Sequence, residues 1–432
     1  MHSFLKKNKS FRFGSFFKNT LILISGTAAS QIIALLFQVV LRRLFSPELF
    51  GAFALYLSIF SILAVLTSLK YEMAIVIPGK MRHAFHLCLL CFLLSFLYCS
   101  LLLVIFLLFR NELSELLSLN PQYSHWLLLL PFSLLFFGFY QAVNFWMIRM
   151  KAFGYASVNK IVRRTSEGIG QSSAGLWGLE SGLAWGHLLG NISYNLTGIY
   201  QLRRTGFFSY AFDFSVLKDM MRRYSNFPKY QASSHLLNML SLMLPVVIVN
   251  ILYTQETTGY FDLTRQVMAI PLALVSTSVS QVLIQEVSAK KNQGLSIQKR
   301  IANTVLILIT LSLPGICIIL LWGEALFSFF FGSQWALSGK IAQILVFAYA
   351  IKFIVSPLSA VLTALEKLKT LAIWRTTYFI AILCLFLLQD TDLFLFFKIY
   401  MAIEIVFYGI YLVLIWRGTL SYDRSLQQQG NK

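Results

Sequence analysis

Charged residues are scarce in this 432-residue chain, where Asp, Glu, Lys and Arg together make up 12 % of the sequence. Hydrophobic residues make up 57 % and aromatic residues 15 %, whereas a soluble domain is about 25 % charged. This shortage excludes an ordinary soluble protein. Long polar stretches and strand-like alternation are also absent. Because helices satisfy their own backbone hydrogen bonds in lipid, the sequence predicts an all-α polytopic membrane protein.

Cysteine is equally sparse and carries no redox or metal signal. The five cysteines lie inside apolar segments without metal-ligand spacing, and we expect all of them to pack in the core between helices. Pairs of catalytic acids, metal-ligand clusters and phosphate-binding glycine loops are also missing. The sequence therefore indicates a protein without a cofactor and without enzymatic activity.

Acidic residues are outnumbered, because 17 Asp and Glu stand against 36 Lys and Arg and the net charge is +19. Such an excess can indicate nucleic-acid binding, but here the bases form short clusters between apolar segments instead of one stripe or tail. No nucleic-acid partner is expected. The basic clusters instead indicate which loops face the cytoplasm.

Twelve segments are long enough, at about 1.5 Å per helical residue, to cross a hydrocarbon core of about 30 Å. The fifth is the least apolar, since it contains Arg163, Arg164, Glu167 and Gln171, and it is required mainly to keep successive loops on alternating sides. The predicted membrane helices span residues 19–41, 51–69, 84–109, 124–148, 161–178, 182–202, 231–252, 260–286, 302–322, 341–364, 371–389 and 394–416.

The distribution of basic residues predicts the topology. A cytoplasmic N-terminus places 28 of the 36 Lys and Arg residues on the cytoplasmic side and four on the outer side. Positively charged loops stay in the cytoplasm, so both termini are expected there. The basic N-terminal segment runs into a full-length apolar helix without a small-residue cleavage site, and we expect an uncleaved first helix.

A short stretch of the first half recurs in the second. Residues 45–55 align with residues 253–263, and Glu, Gly, Phe and Leu coincide in this alignment. Six predicted helices on each side give both halves the same orientation, which predicts two six-helix halves related by a pseudo-twofold axis along the membrane normal, with a substrate route between them. The predicted parts are a basic cytoplasmic N-terminus (1–18), an N-terminal half (19–205), a cytoplasmic linker (206–230), a C-terminal half (231–416) and a cytoplasmic tail (417–432).

Several short motifs follow one another in a distinctive order between residues 19 and 416. The most telling is Asn-Phe-Pro-Lys-Tyr at residues 226–230. The others lie at residues 42–51, 69–78, 244–245, 259–260, 271, 280–282, 331–335 and 356–359. In order and spacing, these motifs resemble the polysaccharide or O-antigen flippases of the multidrug/oligosaccharidyl-lipid/polysaccharide exporter superfamily.

The resemblance implies a substrate and a direction of transport. Such flippases carry an undecaprenyl-pyrophosphate-linked oligosaccharide from the cytoplasmic to the outer leaflet of the inner membrane, by alternating access of two six-helix halves. It also implies a role in O-antigen, lipopolysaccharide or related polysaccharide biosynthesis, with a polysaccharide polymerase and chain-length machinery as candidate partners. A proton or sodium gradient is the candidate driving force.

Ionisable residues within the membrane helices are the candidate functional groups, because a charge at the bilayer centre costs roughly 3 kcal/mol. Arginine also offers planar, bidentate contacts to phosphate. The candidates for the pyrophosphate and glycan path are Arg163, Arg164, Arg265, Lys352 and Arg149. The candidates for coupling or gating are Asp262, Glu72, Glu167 and Glu404.

Each candidate also has a structural alternative. Asp262 and Arg265 lie one helical turn apart and can form a closed ion pair, and Arg149 can serve topology alone. Glu404 is expected to pair with Lys398 or Arg375. Glycines at four-residue spacing, at positions 182, 186 and 190, are expected to allow close helix packing and nothing more.

Two other functions stay open from the sequence. A cation-coupled drug exporter of the same superfamily predicts an acidic cavity, whereas intramembrane bases outnumber intramembrane acids here. A membrane polysaccharide polymerase or ligase needs a sizeable outer loop, and every outer loop is short. Both are therefore less favoured than a flippase.

Overall fold

The computed structural model describes the backbone of residues 10–430 and the side chains of residues 26–367 and 369–428. The first half of the predicted N-terminal segment, residues 1–9, lies outside the described residues. Residues 10–430 form helices and their connections, without a strand. The predicted all-α class is confirmed.

The described residues contain twelve helices of membrane-spanning length, as predicted. The first six are α1 (Ser10–Leu44), α2 (Pro47–Ala64), α3 (Met81–Leu108), α5 (Leu129–Arg149), α6 (Phe153–Leu176) and α7 (Gly182–Arg204), with the short helix α4 (Arg110–Leu116) before α5. The other six are α9 (Ser233–Leu252), α10 (Gln255–Asn292), α11 (Gln298–Phe331), α12 (Ala336–Ala364), α13 (Leu368–Leu383) and α14 (Leu393–Gly430), and the short helix α8 (Phe214–Arg223) precedes α9. Four of the twelve are extended by a segment of another helix type. A 3-10 segment leads into α5, a π-helical turn leads into α9, a 3-10 turn leads into α12 and a 3-10 turn continues α13.

Ten of these helices are apolar enough by composition to cross a membrane, within the described part of the chain. The exceptions are α6 and α7. Their length fits a membrane, but α6 carries Asn159, Arg163, Glu167 and Gln171 at four-residue spacing. Residues four apart share one helix face, so the polarity of α6 is confined to a stripe.

The sequence repeat has a structural counterpart at two helix starts. Ser46 precedes α2, and its hydroxyl accepts a hydrogen bond from the Leu49 amide at 3.3 Å. Thr254 precedes α10, and its hydroxyl accepts one from the Thr257 amide at 3.1 Å. Ser46 and Thr254 are equivalent in the repeat, so both copies begin their helix with the same kind of N-cap.

The chain divides into two compact units between Met239 and Leu240. Within the first unit, α6 packs along both α1 and α7, while α5 packs against α3 and α7. Within the second unit, α12 packs along α10, α11 and α14. Each unit therefore has a helix in contact with several others, α5 in the first and α12 in the second.

The segment from residue 206 to residue 230 belongs to the first unit. Phe207, Leu217 and Met220 are buried in one apolar cluster with side chains of α3 and α5. Asp213 caps α8 and forms an ion pair with Arg82 at 2.6 Å. The Ser215 hydroxyl, followed by backbone amides and Arg82, holds the pKa of the Asp213 carboxyl below its usual value.

The glycine stripe of α7 lies against α6. A Cβ added to Gly186 would meet the Gln171 side chain at 2.4 Å, and one added to Gly190 would meet Glu167 Cβ at 2.8 Å. Only a residue without a side chain allows this approach. The predicted structural role of the stripe is confirmed.

The expectation for the cysteines is partly wrong. Cys88, Cys91 and Cys99 are buried, whereas Cys317 and Cys384 are exposed. Most of α11, which carries Cys317, is exposed in the second unit. A thiol is apolar enough for such a surface in a membrane protein, so an apolar segment does not imply a buried cysteine.

Candidate functional site

In the first unit, the polar stripe of α6 is paired with side chains of α7. Asn159 is fully buried, and its amide exchanges two hydrogen bonds of 2.8 Å with the amide of Gln201. The Thr197 hydroxyl also donates to Asn159, at 2.8 Å. These bonds satisfy the polar groups that a membrane-spanning helix cannot leave unpaired.

One turn further along α6, the predicted cations meet an acid. Arg164 Nη1 lies 3.1 Å from Glu167 Oε2, and Glu167 is buried. The guanidinium of Arg163 instead lies over the Tyr194 ring, 5.7 Å from its centroid, and its Nε is buried without a hydrogen-bond partner. This face therefore holds one ion pair and a second cation with an aromatic neighbour.

Two further buried polar residues of the first unit, His187 and Arg42, are not among the predicted site residues. His187 on α7 lies 3.5 Å from the Tyr56 hydroxyl, which contacts the Ser133 hydroxyl at 2.8 Å. Arg42, one of the four basic residues that the predicted topology places on the outer side, lies in the last turn of α1 with its guanidinium 3.7 Å from the centroid of the Phe50 ring. No local sequence pattern predicts the neighbours of His187, because His187 and Tyr56 are 131 residues apart in the chain.

Arg149 and Glu72 stabilise the connection between α2 and α3. Arg149 donates to the backbone carbonyls of Ile75 and Pro78, at 3.1 and 2.6 Å. Glu72 is buried, accepts a hydrogen bond from Ser68 at 2.5 Å and lies 3.4 Å from the Lys70 ammonium. Arg149 thus has local backbone partners in addition to its predicted position at a helix end.

This connection contains a left-handed backbone. Leu69 and Lys70 have φ angles of 50° and 66°, a region that residues with a side chain enter at a cost. The contacts of Glu72 and Arg149 lie on the turn that immediately follows. They provide the local interactions that hold this conformation.

In the second unit, the acid and base of α10 form the anticipated pair. Arg265 Nη2 lies 3.1 Å from Asp262 Oδ1, and the Gln266 amide donates to Asp262 Oδ2 at 2.6 Å. Asp262 is buried, and Arg265 Nη1 lies 3.7 Å from the sulfur of Met243. The pair therefore lies on α10, and Arg265 also contacts a side chain of α9.

Lys352 on α12 has a partner that the sequence did not indicate. Its Nζ lies 2.7 Å from Glu404 Oε1 of α14, and the Tyr378 hydroxyl donates to the same oxygen at 2.8 Å. The expectation that Glu404 pairs with Lys398 or Arg375 is thus corrected. The pairing joins two helices, and a pattern within one helix cannot reveal it.

Aromatic rings surround the Lys352 ammonium. Its Nζ lies between 5.3 and 5.9 Å from the ring centroids of Tyr349, Tyr400 and Tyr408. Cation–π attraction at this distance contributes about 0.5–2 kcal/mol per favourable contact, depending on desolvation. The rings and Glu404 together stabilise a charged amine in a buried place.

Each unit thus carries cations on membrane helices that are already paired with carboxylates. An anionic group can replace such a carboxylate without leaving the cation unpaired. Among residues 10–430, no group of three or more His, Cys, Asp and Glu residues is placed to hold a metal ion.

Sequence comparisons connect the chain to polysaccharide biosynthesis. The profile described as "polysaccharide biosynthesis protein" matches residues 40–339. Among curated proteins, the teichuronic acid biosynthesis protein TuaB of Bacillus subtilis (strain 168) is 23 % identical over 156 residues, which cover 36 % of this chain and 32 % of TuaB. The matched segment spans about a third of that relative.

Solved structures share the fold over nearly the whole chain. The lipid II flippase MurJ, in an inward closed conformation, has a TM-score of 0.74 and 14 % identity, and the match covers 94 % of this chain and 91 % of that one. An inward-facing multidrug resistance MATE family transporter of the MOP superfamily has a TM-score of 0.71 and 12 % identity, with 94 % and 99 % covered. At these identities the likeness establishes the fold.

Proposed function

Because this chain belongs to the polysaccharide biosynthesis protein family, as its motifs indicated, we propose that it is a flippase for a lipid-linked oligosaccharide. The substrate is an undecaprenyl-pyrophosphate-linked repeat unit of O-antigen or a related polysaccharide. It moves from the cytoplasmic to the outer leaflet of the inner membrane by alternating access. The names of TuaB and MurJ, which refer to teichuronic acid biosynthesis and lipid II, support a substrate of this class.

The observation that carries the proposal is the set of paired cations on membrane helices. Arg164, Arg265 and Lys352 each lie within 3.1 Å of a carboxylate oxygen. A pyrophosphate offers the same cations more acceptor oxygens and more charge than a carboxylate. Its arrival exchanges one anionic partner for another, so no cation is left buried and unpaired.

Partner exchange also suggests the coupling step. A carboxylate released from its cation in a buried place is costly in its charged form and takes up a proton instead. Glu404, Asp262 and Glu167 are the proposed coupling acids, with Glu72 as a gating residue between α2 and α3. A proton gradient would then return the released acid to its starting state, and no cofactor takes part.

The orientation and partners follow from the same proposal. In this proposal both termini lie in the cytoplasm, which is supported by the 28 basic residues that this orientation places on that side. The polysaccharide polymerase and chain-length machinery receive the repeat unit on the outer face. The protein itself contacts the bilayer and the lipid-linked substrate, and binds no nucleic acid.

Deletion of the gene tests the proposal. We expect lipid-linked oligosaccharide to accumulate on the cytoplasmic leaflet while polymer disappears from the surface, and the plasmid-borne gene to restore it. Leaflet position is measured by the access of an impermeant lectin or oxidant to the glycan, in intact and in permeabilised cells. Single repeat units displayed outside without polymerisation would instead identify a polymerase.

The shared fold with a drug transporter requires a second arm of the same experiment. The deletion strain is compared with its parent for growth in the presence of cationic dyes and antibiotics. Unchanged sensitivity, together with lost surface polymer, is the expected result. Increased sensitivity with normal surface polymer would identify a drug exporter.

A further inference from the structure

The second unit contains an apolar cavity of about 530 Å³ between α10, α11 and α12. Pockets that hold drug-sized molecules measure about 300–1,000 Å³, so this one accommodates a sizeable ligand. Its lining is almost entirely hydrophobic and includes Met268, Pro271, Leu311, Ile318 and Phe353. Such a cavity is suited to a hydrocarbon ligand and not to a glycan.

The cavity results from how three helices pack. Both α10 and α11 pack along α12, and the cavity lies between them. Each of the three has an internal proline, at positions 271, 314 and 357, and proline prevents regular helix packing over a full turn. Leu311 and Ile318 on α11 are 56 and 46 % exposed, so a hydrocarbon chain can enter the cavity from the side of α11.

Tyr349 connects this cavity to the charged site. It lines the cavity, and the centroid of its ring lies 5.3 Å from the Lys352 ammonium. On α10, Arg265 precedes the lining residue Met268 by one turn. Each cation therefore lies one helical turn from a residue that lines the cavity, which suits a molecule with an anionic head and a hydrocarbon tail.

We propose that this cavity receives part of the isoprenoid chain of the lipid-linked substrate while Arg265 and Lys352 bind its pyrophosphate. The inference rests on the proposed function and adds where the tail is held. A hydrocarbon tail gains little by moving from one flat helix surface to another. A cavity formed by three helices contacts more of the tail and therefore contributes more dispersion attraction. Binding of the isoprenoid chain in this cavity positions the pyrophosphate beside Arg265 and Lys352.

Gly315 on α11 provides a direct test, because it lines the cavity and a Cβ added there meets no atom within 4 Å. Gly315→Phe adds a large side chain at the cavity wall, and its Cβ meets no neighbouring atom. Gly409 on α14 is the matched control, since a Cβ added there also meets nothing within 4 Å and Gly409 is not among the lining residues. Both changes replace a mid-helix glycine of the same unit by the same large side chain.

The probe is undecaprenyl phosphate with a photoreactive diazirine on its chain, in phosphatidylethanolamine vesicles that contain the purified protein. We expect labelled peptides within residues 267–275, 311–319 and 346–353. Since loss of contact with about two buried methylene groups weakens binding about tenfold, Gly315→Phe should reduce this labelling about tenfold. Gly409→Phe should leave it unchanged.

Two competitors identify the bound lipid. Unlabelled undecaprenyl phosphate should abolish the labelling, whereas phosphatidylglycerol at the same concentration should not, although its head is also anionic. Labelling elsewhere in the wild-type protein, equal labelling of Gly315→Phe, or equal competition by phosphatidylglycerol would overturn the inference. The assay requires no transport, so these outcomes are independent of whether deletion of the gene abolishes surface polymer.

Discussion

Lys352 combines two means of keeping an amine charged inside a membrane protein. Glu404 supplies a carboxylate at 2.7 Å, and three tyrosine rings supply their negative faces. If a pyrophosphate replaces Glu404, as proposed, the aromatic rings around Lys352 remain available to stabilise the ammonium.

Neutralising this pair in two steps separates folding from binding. Lys352→Met leaves Glu404 buried without its cation, and loss of one partner of a buried pair costs about 3–5 kcal/mol. We expect low protein levels and no export. Lys352→Met combined with Glu404→Gln should restore the protein level, because the glutamine still accepts from Tyr378, but surface polysaccharide should stay absent.

The conservative change is the control for this pair. Lys352→Arg keeps the positive charge and should retain much of the export. Protein level and thermal unfolding in detergent are measured beside surface polysaccharide for all three variants. Export at the wild-type level in the neutral double variant would show that the cation serves the fold alone.

At the scale of single residues, sequence spacing predicted the local pairs and missed the distant ones. Asp262 with Arg265 and Arg164 with Glu167 are three residues apart on one helix, and helical geometry places such residues together. Lys352 and Glu404 are 52 residues apart. Their contact depends on how α12 and α14 pack, which no pattern within either helix contains.

Among the helices, α6 shows how a polar segment is accommodated. Its stripe from Asn159 to Gln171 faces α7, so its polar groups contact protein instead of lipid. The sequence predicted this helix only through the need for alternating loops. Its hydrogen-bond partners on α7, such as Gln201, were not predictable. An amide side chain on a membrane helix indicates that a partner is needed, but it does not identify the partner.

The glycine stripe of α7 makes this accommodation testable. Gly186→Leu would place carbon atoms within 2.4 Å of the Gln171 side chain and 2.8 Å of its backbone amide. Overpacking of this kind costs about 1–3 kcal/mol or more, so we expect reduced protein level and a lower unfolding temperature. Surface polysaccharide should fall in proportion to the protein level.

Gly154 is the matched position for this change. Gly154 lies in the first turn of α6, the partner helix of α7, and a Cβ added there meets nothing within 4 Å. Gly154→Leu should be neutral or slightly stabilising, since glycine within a helix costs about 0.5–1 kcal/mol relative to alanine. Equal behaviour of the two variants would refute close α6–α7 packing.

For the whole molecule, the number and type of helices were the most predictable features. Hydrophobic length indicated eleven of the twelve segments, although α7 is less apolar than the other ten, and the need to keep successive loops on alternating sides required the twelfth. The predicted bounds differ from the observed ones mostly at the ends, because α10, α11 and α14 continue well past their apolar cores. Helix continuation into water depends on capping and packing, and hydropathy records neither.

The topology prediction is tested by adding one cysteine at a time at exposed positions. Glu256→Cys, in the first turn of α10, should react with an impermeant maleimide in intact cells. Lys218→Cys, on α8, should react only after permeabilisation. The unmodified chain gives the background from its five native cysteines, and labelling in the opposite order would invert the proposed orientation.

The division between Met239 and Leu240 has a consequence for biogenesis. Each unit is formed by consecutive residues, and each starts one helix with its own N-cap, Ser46 in the first and Thr254 in the second. The ribosome delivers about 5–20 residues per second, so about 10 to 40 seconds separate completion of the first unit from release of the chain. During this interval the first unit can bury its polar stripe while the second is still being inserted.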